Sequence, residues 1–238
     1  MIMYTRKLLL LIATIFTLIG LSGCGSTPYH NIAGTTYGWD NEDGDIEIIS
    51  NYQVGALQIR VVRHKNSDCI SGYRDRIELN GAINKDTSFI LERVFKDIDV
   101  CKAKSGTWYA TPVYMNSDGG SVSDGIKIGR LFREYSVMAI IIGDQVCASS
   151  CAFAFLGAYF RQIHHNGKLL FHSPYNNGII GIDCADKKES KWLKEYYQEM
   201  IGDIEGSLLF NRTMDHCSDM TGWTVNSDSA RIFGITTE

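Results

Sequence analysis

Three short segments carry the residues able to do chemistry: Asn116-Ser117-Asp118-Gly119-Gly120-Ser121, Cys147-Ala148-Ser149-Ser150-Cys151 and Phe171-His172-Ser173-Pro174. In chain order they offer a glycine turn with outward-facing amides, a serine entering an apolar helix, and a histidine closing a strand. Those are the parts of a serine acyl-transfer site: oxyanion hole, nucleophile and base. Gly119 and Gly120 lack a Cβ, so the backbone there can take unusual dihedrals and approach a ligand closely. Ser149 falls at the first turn of a helix, where amides without internal partners favour developing negative charge. The Ser150 N–H is then positioned to share an oxyanion with the Gly120 N–H, and His172 is the candidate base. Each feature also has a plainer reading. A Gly-Gly pair is usually a turn, a serine at a helix start an N-cap, and a lone histidine structural. His164 and His165 are adjacent, point apart in extended chain, and read as loop residues. His164, His172, Cys184, His216 and Cys217 lack tight ligand spacing, so no metal is expected, and the chemistry calls for no cofactor.

The elements around these segments follow from periodicity. Ile46–Val62 alternates loosely and reads as one or two strands, and Arg76–Ile83 alternates again. Asp86 or Thr87 can cap a helix whose apolar stripe is Phe89, Ile90, Val94, Phe95 and Ile98. A strand–helix rhythm follows: strand Trp108–Met115, helix Val122–Glu134, strand Val137–Ile142, helix Ser149–Tyr159 and strand Lys168–Phe171. Continuous apolar strands between helices predict an α/β fold with a buried, mostly parallel sheet and right-handed crossovers. Asp186–Leu209 is predicted as one long amphipathic helix with Trp192, Tyr196, Met200 and Ile204 on one stripe. Ser227–Ile235 reads as a short helix and a strand.

The N-terminus reads as an address. Arg6 and Lys7 precede an apolar run from Leu8 to Leu21, and Leu21-Ser22-Gly23-Cys24 places small residues before a cysteine. This layout predicts a signal peptide over 1–23, and the last four residues resemble the lipobox of bacterial lipoproteins. That resemblance implies cleavage before Cys24 and acylation there, a firm membrane anchor. Gly25 rather than an aspartate follows, which favours the outer membrane over the inner. Residues 24–45, rich in Gly, Thr, Asn and Asp, read as a tether, and 46–238 as the folded domain. A formal net charge of −4 gives no reason to expect nucleic acid as a partner. Beyond Cys24 stand Cys69, Cys101, Cys147, Cys151, Cys184 and Cys217, an even set that suggests disulfides outside the cytoplasm. The expected pairs are Cys69–Cys101 and Cys184–Cys217. A four-residue spacing is awkward for a bridge within a regular helix, so Cys147 and Cys151 are left either bridged or as small buried thiols.

Taken together, the motifs resemble the Clp protease proteolytic subunit. Asn116–Gly120 looks like that family's Asn-Ser-Pro-Gly-Gly loop, and Cys147–Ala158 like its Ala-Ala-Ser-Met-Gly-Ala nucleophile segment. Arg161 with Leu169–Pro174 is similar to its basic residue, strand and His-Gln-Pro, and Ser227–Ile235 to its closing helix and strand. The Cys-x-Ser-x-Cys form is closer still to secreted Clp-like proteins of bacteria. The resemblance implies a crotonase-like spiral of β-β-α units, with Ser149 as nucleophile, His172 as general base, and Gly120 with Ser150 as oxyanion donors. It also implies peptide or protein substrates, and oligomer contacts through the Asp186–Leu209 region, hence a homo-oligomer. The third triad member does not transfer, because Gly222, between Thr221 and Trp223, stands where the family's aspartate falls. Asp219, Asp228 and Asp215 are the candidate acids nearby, and Asp118 replaces the loop proline with a charge beside the oxyanion site.

Two functions are therefore expected. One is a membrane-anchored serine hydrolase of the cell envelope, a peptidase using a Ser-His dyad or an incomplete triad. It would need no cofactor and no ATPase partner, since the envelope offers no ATP. The other is a catalytically inactive Clp-like lipoprotein that binds or scaffolds.

Overall fold

Strand β1 (Ile46–Val54) and strand β2 (Leu57–His64) form an antiparallel hairpin, turned where Gly55 takes a φ of 59°. They open a computed structural model that describes residues 46–65, 75–98, 110–178 and 181–237, all within the unit Trp39–Glu238. The signal segment, the tether, Cys24, Cys69 and Cys101 lie outside the described residues, as does the predicted strand start at Trp108. In β2 the alternating Leu57, Ile59 and Val61 are buried, while β1 is largely exposed at the sheet edge.

Strand β3 (Asp75–Asn80) runs antiparallel to β2, and from there the sheet turns parallel. Strands β4 (Thr111–Asn116), β5 (Val137–Ile141) and β7 (Phe160–Ile163) follow it side by side. The order is β1-β2-β3-β4-β5-β7. Val113, Met115, Val137, Ala139 and Ile141 are almost wholly buried, as expected of parallel strands covered on both faces.

Helices α1 (Thr87–Asp97), α2 (Val122–Glu134) and α3 (Ser150–Gly157) lie between successive strands of that sheet. The chain does not return directly from strand to helix. After β5 it makes β6 (Val146–Ala148), and after β7 it makes β8 (Lys168–Phe171). These two pair in parallel, and β11 (Trp223–Val225) joins β8 antiparallel, giving a second sheet of order β11-β8-β6. Two single bridges, Ile83 with Gly120 and Ser117 with Cys147, extend the same row backwards. Each strand–strand–helix turn thus deposits one loop in a common second layer. The Gly-Gly loop, Ser149 and His172 all leave that layer at the same end.

Helix α3 is buried along its whole length and seats against α2, where a side chain on Gly157 would collide with the Gly129 backbone. Beyond β8 come a hairpin of β9 (Tyr175–Gly178) and β10 (Gly181–Cys184), then helices α4 (Lys191–Ile201) and α5 (Asp203–Met214). A short 3-10 turn, Asp219–Thr221, precedes β11, and α6 (Ser227–Ile232) closes the chain.

Three expectations need correction. The single helix over Asp186–Leu209 is two helices, because Gly202 takes φ 99° and ψ 161°, outside any helix. As a result Leu193, Tyr196, Tyr197 and Met200 are buried, whereas Trp192 and Ile204 of the predicted stripe are exposed. In α1 the buried face is Thr87, Ser88, Leu91, Val94 and Phe95, and Phe89 points outward. The final segment forms no strand: Ile235 is buried, and its carbonyl accepts from Arg161 Nε at 2.6 Å.

Candidate active site

Ser149 occupies a sharp corner between a strand and a helix. Its N–H donates to the Leu170 carbonyl at 2.8 Å, continuing the β6–β8 ladder, and the next residue starts α3. Its φ is 56° and ψ −124°, a conformation that a residue with a Cβ seldom adopts and that recurs at functional sites. A nucleophile held on such a strand-to-helix turn presents its hydroxyl rather than burying it. Ser149 caps α3 with its position alone, making no side-chain cap bond, and stays partly accessible. The N-cap reading of its hydroxyl therefore fails.

Two cysteines bracket that corner. Cys147 in β6 and Cys151 in the first turn of α3 form a disulfide with Cα atoms 5.1 Å apart, both essentially buried. The spacing objection dissolves because only one partner is helical and the turn at Ser149 folds the other back over it.

The Gly-Gly loop lies directly against this corner. Gly119 has φ 92°, and a Cβ there would sit 2.6 Å from the Ala148 carbonyl oxygen and 2.7 Å from Ser149 Cβ. Gly120 has φ 133°, and a Cβ there would strike the Ile83 carbonyl. Ile83 N–H donates to the Gly119 carbonyl, and Ser121 N–H donates to the Ile83 carbonyl. In that alternation the Gly120 N–H must face the other way, and no backbone carbonyl among the described residues receives it. The Ser150 N–H is likewise unspent, as a first-turn amide. Gly119 N–H donates to Ser117 Oγ at 3.1 Å, and Ser121 Oγ accepts from Asp124 N at 3.3 Å, so both flanks of the loop are pinned. Burial pushes the Asp124 carboxyl up, but hydrogen bonds from Ser121 and Ser88 outweigh it and hold it below the usual range. Asp118 is exposed at the loop's tip. The Ser150 hydroxyl is fully buried with no hydrogen-bond partner, so it is the amide of Ser150, not its side chain, that is available.

His172 follows the last residue of β8, on the strand next to Ser149. The residue is 3% exposed, and its ring centroid lies 5.3 Å from that of Tyr175. Nδ1 is 2.8 Å from the Ser173 carbonyl. A carbonyl only accepts, so Nδ1 carries the proton and Nε2 presents the lone pair. This is the tautomer a general base needs.

No carboxylate among the described side chains holds that ring. β11 pairs with β8 so that Trp223 faces Phe171, and continuing that register one step past the strand ends sets Gly222 against His172. The position opposite the imidazole has no side chain. Asp215 caps the end of α5 and pairs with Lys187 at 2.7 Å, whose hydrogen bond holds its carboxyl below the usual range. Asp228 is exposed in the first turn of α6, 4.0 Å from Arg231. Asp219 starts the turn before β11. Sequence reasoning named Ser173 but missed its carbonyl, and the available signal was Pro174, which biases the preceding residue to extended backbone. The Cys184–Cys217 bridge forms as expected and ties β10 to the segment after α5. Arg161 is buried, donates to the carbonyls of Leu156, Ala158 and Ile235, and burial brings its pKa down to about 10.

No protein-family model matches the sequence, and no curated protein matches it significantly. Solved structures do match in fold. A mutant of the 1510-N membrane-bound stomatin-specific protease aligns at 15% identity and TM-score 0.51, over 67% of this chain and 75% of that one. A second mutant of it, in complex with a substrate peptide, aligns at 14% identity and TM-score 0.52, over 67% and 71%. A mutant of ClpP1 from Listeria monocytogenes aligns at 19% identity and TM-score 0.48, over 68% and 88%. The fold is the Clp/crotonase type, an α/β arrangement with a mainly parallel sheet and flanking helices.

Proposed function

We propose that this chain is a serine hydrolase of the cell envelope, acting on peptides. One observation carries the reading. The Ser149 hydroxyl is unspent on a positive-φ corner at the end of β6, and the neighbouring strand β8 leads into a histidine whose Nδ1 is committed to a carbonyl. In the proposed reaction Ser149 Oγ attacks a substrate carbonyl carbon while His172 Nε2 takes its proton. The Gly120 and Ser150 amides receive the oxyanion, aided by the N-terminus of α3. His172 then returns the proton to the leaving amine, and a water repeats the sequence to release the acyl group. The Ser173 carbonyl, in place of an acid, keeps the imidazole in its working tautomer. That arrangement is a dyad with a backbone orienter.

Peptides are favoured as substrates because two of the neighbours sharing this fold are described as forms of a protease, one holding a substrate peptide. The predicted signal over 1–23 and Cys24 support a lipid anchor at the outer membrane's periplasmic face, and the two disulfides among the described residues fit an oxidising compartment. Among the described residues no helix is long and apolar enough to cross a membrane. A homo-oligomer through α4 and α5 is part of the same proposal.

The competing reading is an inactive scaffold, and Gly222 opposite His172 is the observation that favours it. A fluorophosphonate probe separates the two. The proposal expects covalent labelling of the mature protein that Ser149→Ala abolishes, whereas a scaffold remains unlabelled. The anchor is tested by incorporation of an alkynyl fatty acid, which Cys24→Ser should eliminate.

A further inference from the structure

We infer that the Cys184–Cys217 disulfide positions the general base, so that a dithiol which opens it slows acyl transfer at Ser149. This inference rests on the hydrolase reading for its rate, though not for its structural content.

The two disulfides among the described residues differ in what surrounds them. Cys147 and Cys151 are 0% and 1% exposed inside the core, out of reach of a thiol. Cys217 is exposed and Cys184 half-buried, so the second bridge meets solvent. It is also the one tied to His172. Ser173 N–H donates to the His216 carbonyl at 2.7 Å, and Ser173 Oγ donates to the Cys217 carbonyl at 3.3 Å. On the other side, Ala185 N–H donates to the Pro174 carbonyl at 2.8 Å, and Cys184 pairs with Tyr175, whose ring lies against His172. The Ser173–Tyr175 stretch is therefore gripped from two sides, by residues 184–185 and 216–217, and the disulfide joins the two grips covalently. The carbonyl that holds Nδ1 belongs to the first residue of that stretch.

The chemistry of opening balances. One thiolate of the dithiol attacks Cys217 Sγ and expels the Cys184 thiolate. The second thiol closes the reagent to a cyclic disulfide and expels the Cys217 thiolate. Two electrons pass to the protein bridge, and both cysteine sulfurs finish protonated or as thiolates according to pH. With the grips uncoupled, Ser173 loses its fixed carbonyl direction and the imidazole samples the wrong tautomer. Losing the worth of one neutral hydrogen bond predicts roughly a five- to tenfold slower reaction.

The test treats the full mature protein with dithiothreitol, maps released thiols by alkylation and mass spectrometry, and follows two readouts. One is the fluorophosphonate labelling rate; the other is the 15N NMR spectrum of the His172 ring, which reports the tautomer without requiring activity. The expected result is alkylation at Cys184 and Cys217 before Cys147 and Cys151, a fall in labelling rate, and loss of the Nδ1–H signature. Oxidised glutathione should restore both. The Cys184→Ser/Cys217→Ser variant should sit in the slow state and ignore the dithiol. An open bridge with an unchanged His172 spectrum overturns the inference, as does earlier opening of Cys147–Cys151. Should Ser149 never label, the hydrolase reading falls, and the His172 spectrum alone then decides the positioning claim.

Discussion

Gly222→Asp tests whether the Ser173 carbonyl stands in for a missing acid. Continuing the β8–β11 register one step past Trp223 and Phe171 sets residue 222 across from His172, at a spacing where cross-strand Cβ atoms are about 4.5–5.5 Å apart. It is half-buried and is not among the described glycines with positive φ, so the backbone there admits a side chain. An aspartate at this spot reaches Nδ1 and competes with the Ser173 oxygen now 2.8 Å away. A neutral hydrogen bond is worth about 1 kcal/mol net and one to a charged group about 1.5–3 kcal/mol. The imidazolium formed as Ser149 loses its proton should therefore gain about 1–2 kcal/mol, a rate increase of roughly 5- to 30-fold.

The gain stays far below the roughly 10⁴-fold effect of a triad aspartate, because the correct tautomer is already held. The assay is the fluorophosphonate labelling rate and the hydrolysis of a chromogenic ester, both followed across pH. A carboxylate favours the protonated ring, so the acid limb of the profile should move to higher pH. A correctly folded variant with an unchanged or lower rate refutes the dyad account. A gain near 10⁴-fold refutes the backbone orienter, since it would mean Ser173 holds nothing.

Three further outcomes are expected. Gly119→Ala should lose labelling and lower the melting temperature by the equivalent of about 1–3 kcal/mol, because its Cβ meets Ser149 Cβ and φ is 92°. Retained labelling at normal stability would mean that the loop sits elsewhere in solution. Cys147→Ala/Cys151→Ala, closing so short a loop, should cost only about 2 kcal/mol in urea denaturation, yet reduce labelling far more than that loss implies. Equal labelling by the folded variant would show that the corner needs no bridge. Asp124→Asn should destabilise by about 2 kcal/mol at neutral pH, through the Ser88 and Ser121 hydrogen bonds. Asp124 is held below its ordinary value of 3.8, so its contribution is complete above that pH and is lost as pH falls through the folded value. Wild-type and variant stabilities should converge in acid, and a gap independent of pH would contradict the assignment.

Amphipathic or apolar segments bounded by turn residues were legible from residues alone. Helix α2 occupies Val122–Glu134 and β8 occupies Lys168–Phe171, both as read, because an amphipathic or apolar run bounded by turn residues has one compatible structure. The three-residue strands β6 and β11 were invisible, since a period cannot be seen in Val146–Ala148 or Trp223–Val225. The break at Gly202 was missed because one glycine within an amphipathic pattern ordinarily survives inside a helix. At the site, Ser149 and His172 were readable as residue types. The Ser173 carbonyl was not, because every residue has one and only the fold selects it. That Gly222 faces His172 follows from a register set by contacts distant in sequence.

The same distinction says why this fold carries bridges where it does. A carboxylate on a side chain can follow a histidine through small backbone motions, because rotamers absorb the shift. A carbonyl cannot, since its direction is fixed by the chain. Replacing an acid with a backbone oxygen therefore transfers the demand for precision from a rotamer to the main chain. Here that main chain is the Ser173–Tyr175 stretch, hydrogen-bonded to residues on both sides of Cys184–Cys217. The proposed nucleophile poses the same demand, since φ at Ser149 is costly and must be held by its surroundings. Cys147–Cys151 spans that residue. Each half of the proposed dyad is thus an unusual backbone geometry closed by its own disulfide, and an aspartate placed at position 222 should leave Cys184–Cys217 less necessary than Cys147–Cys151.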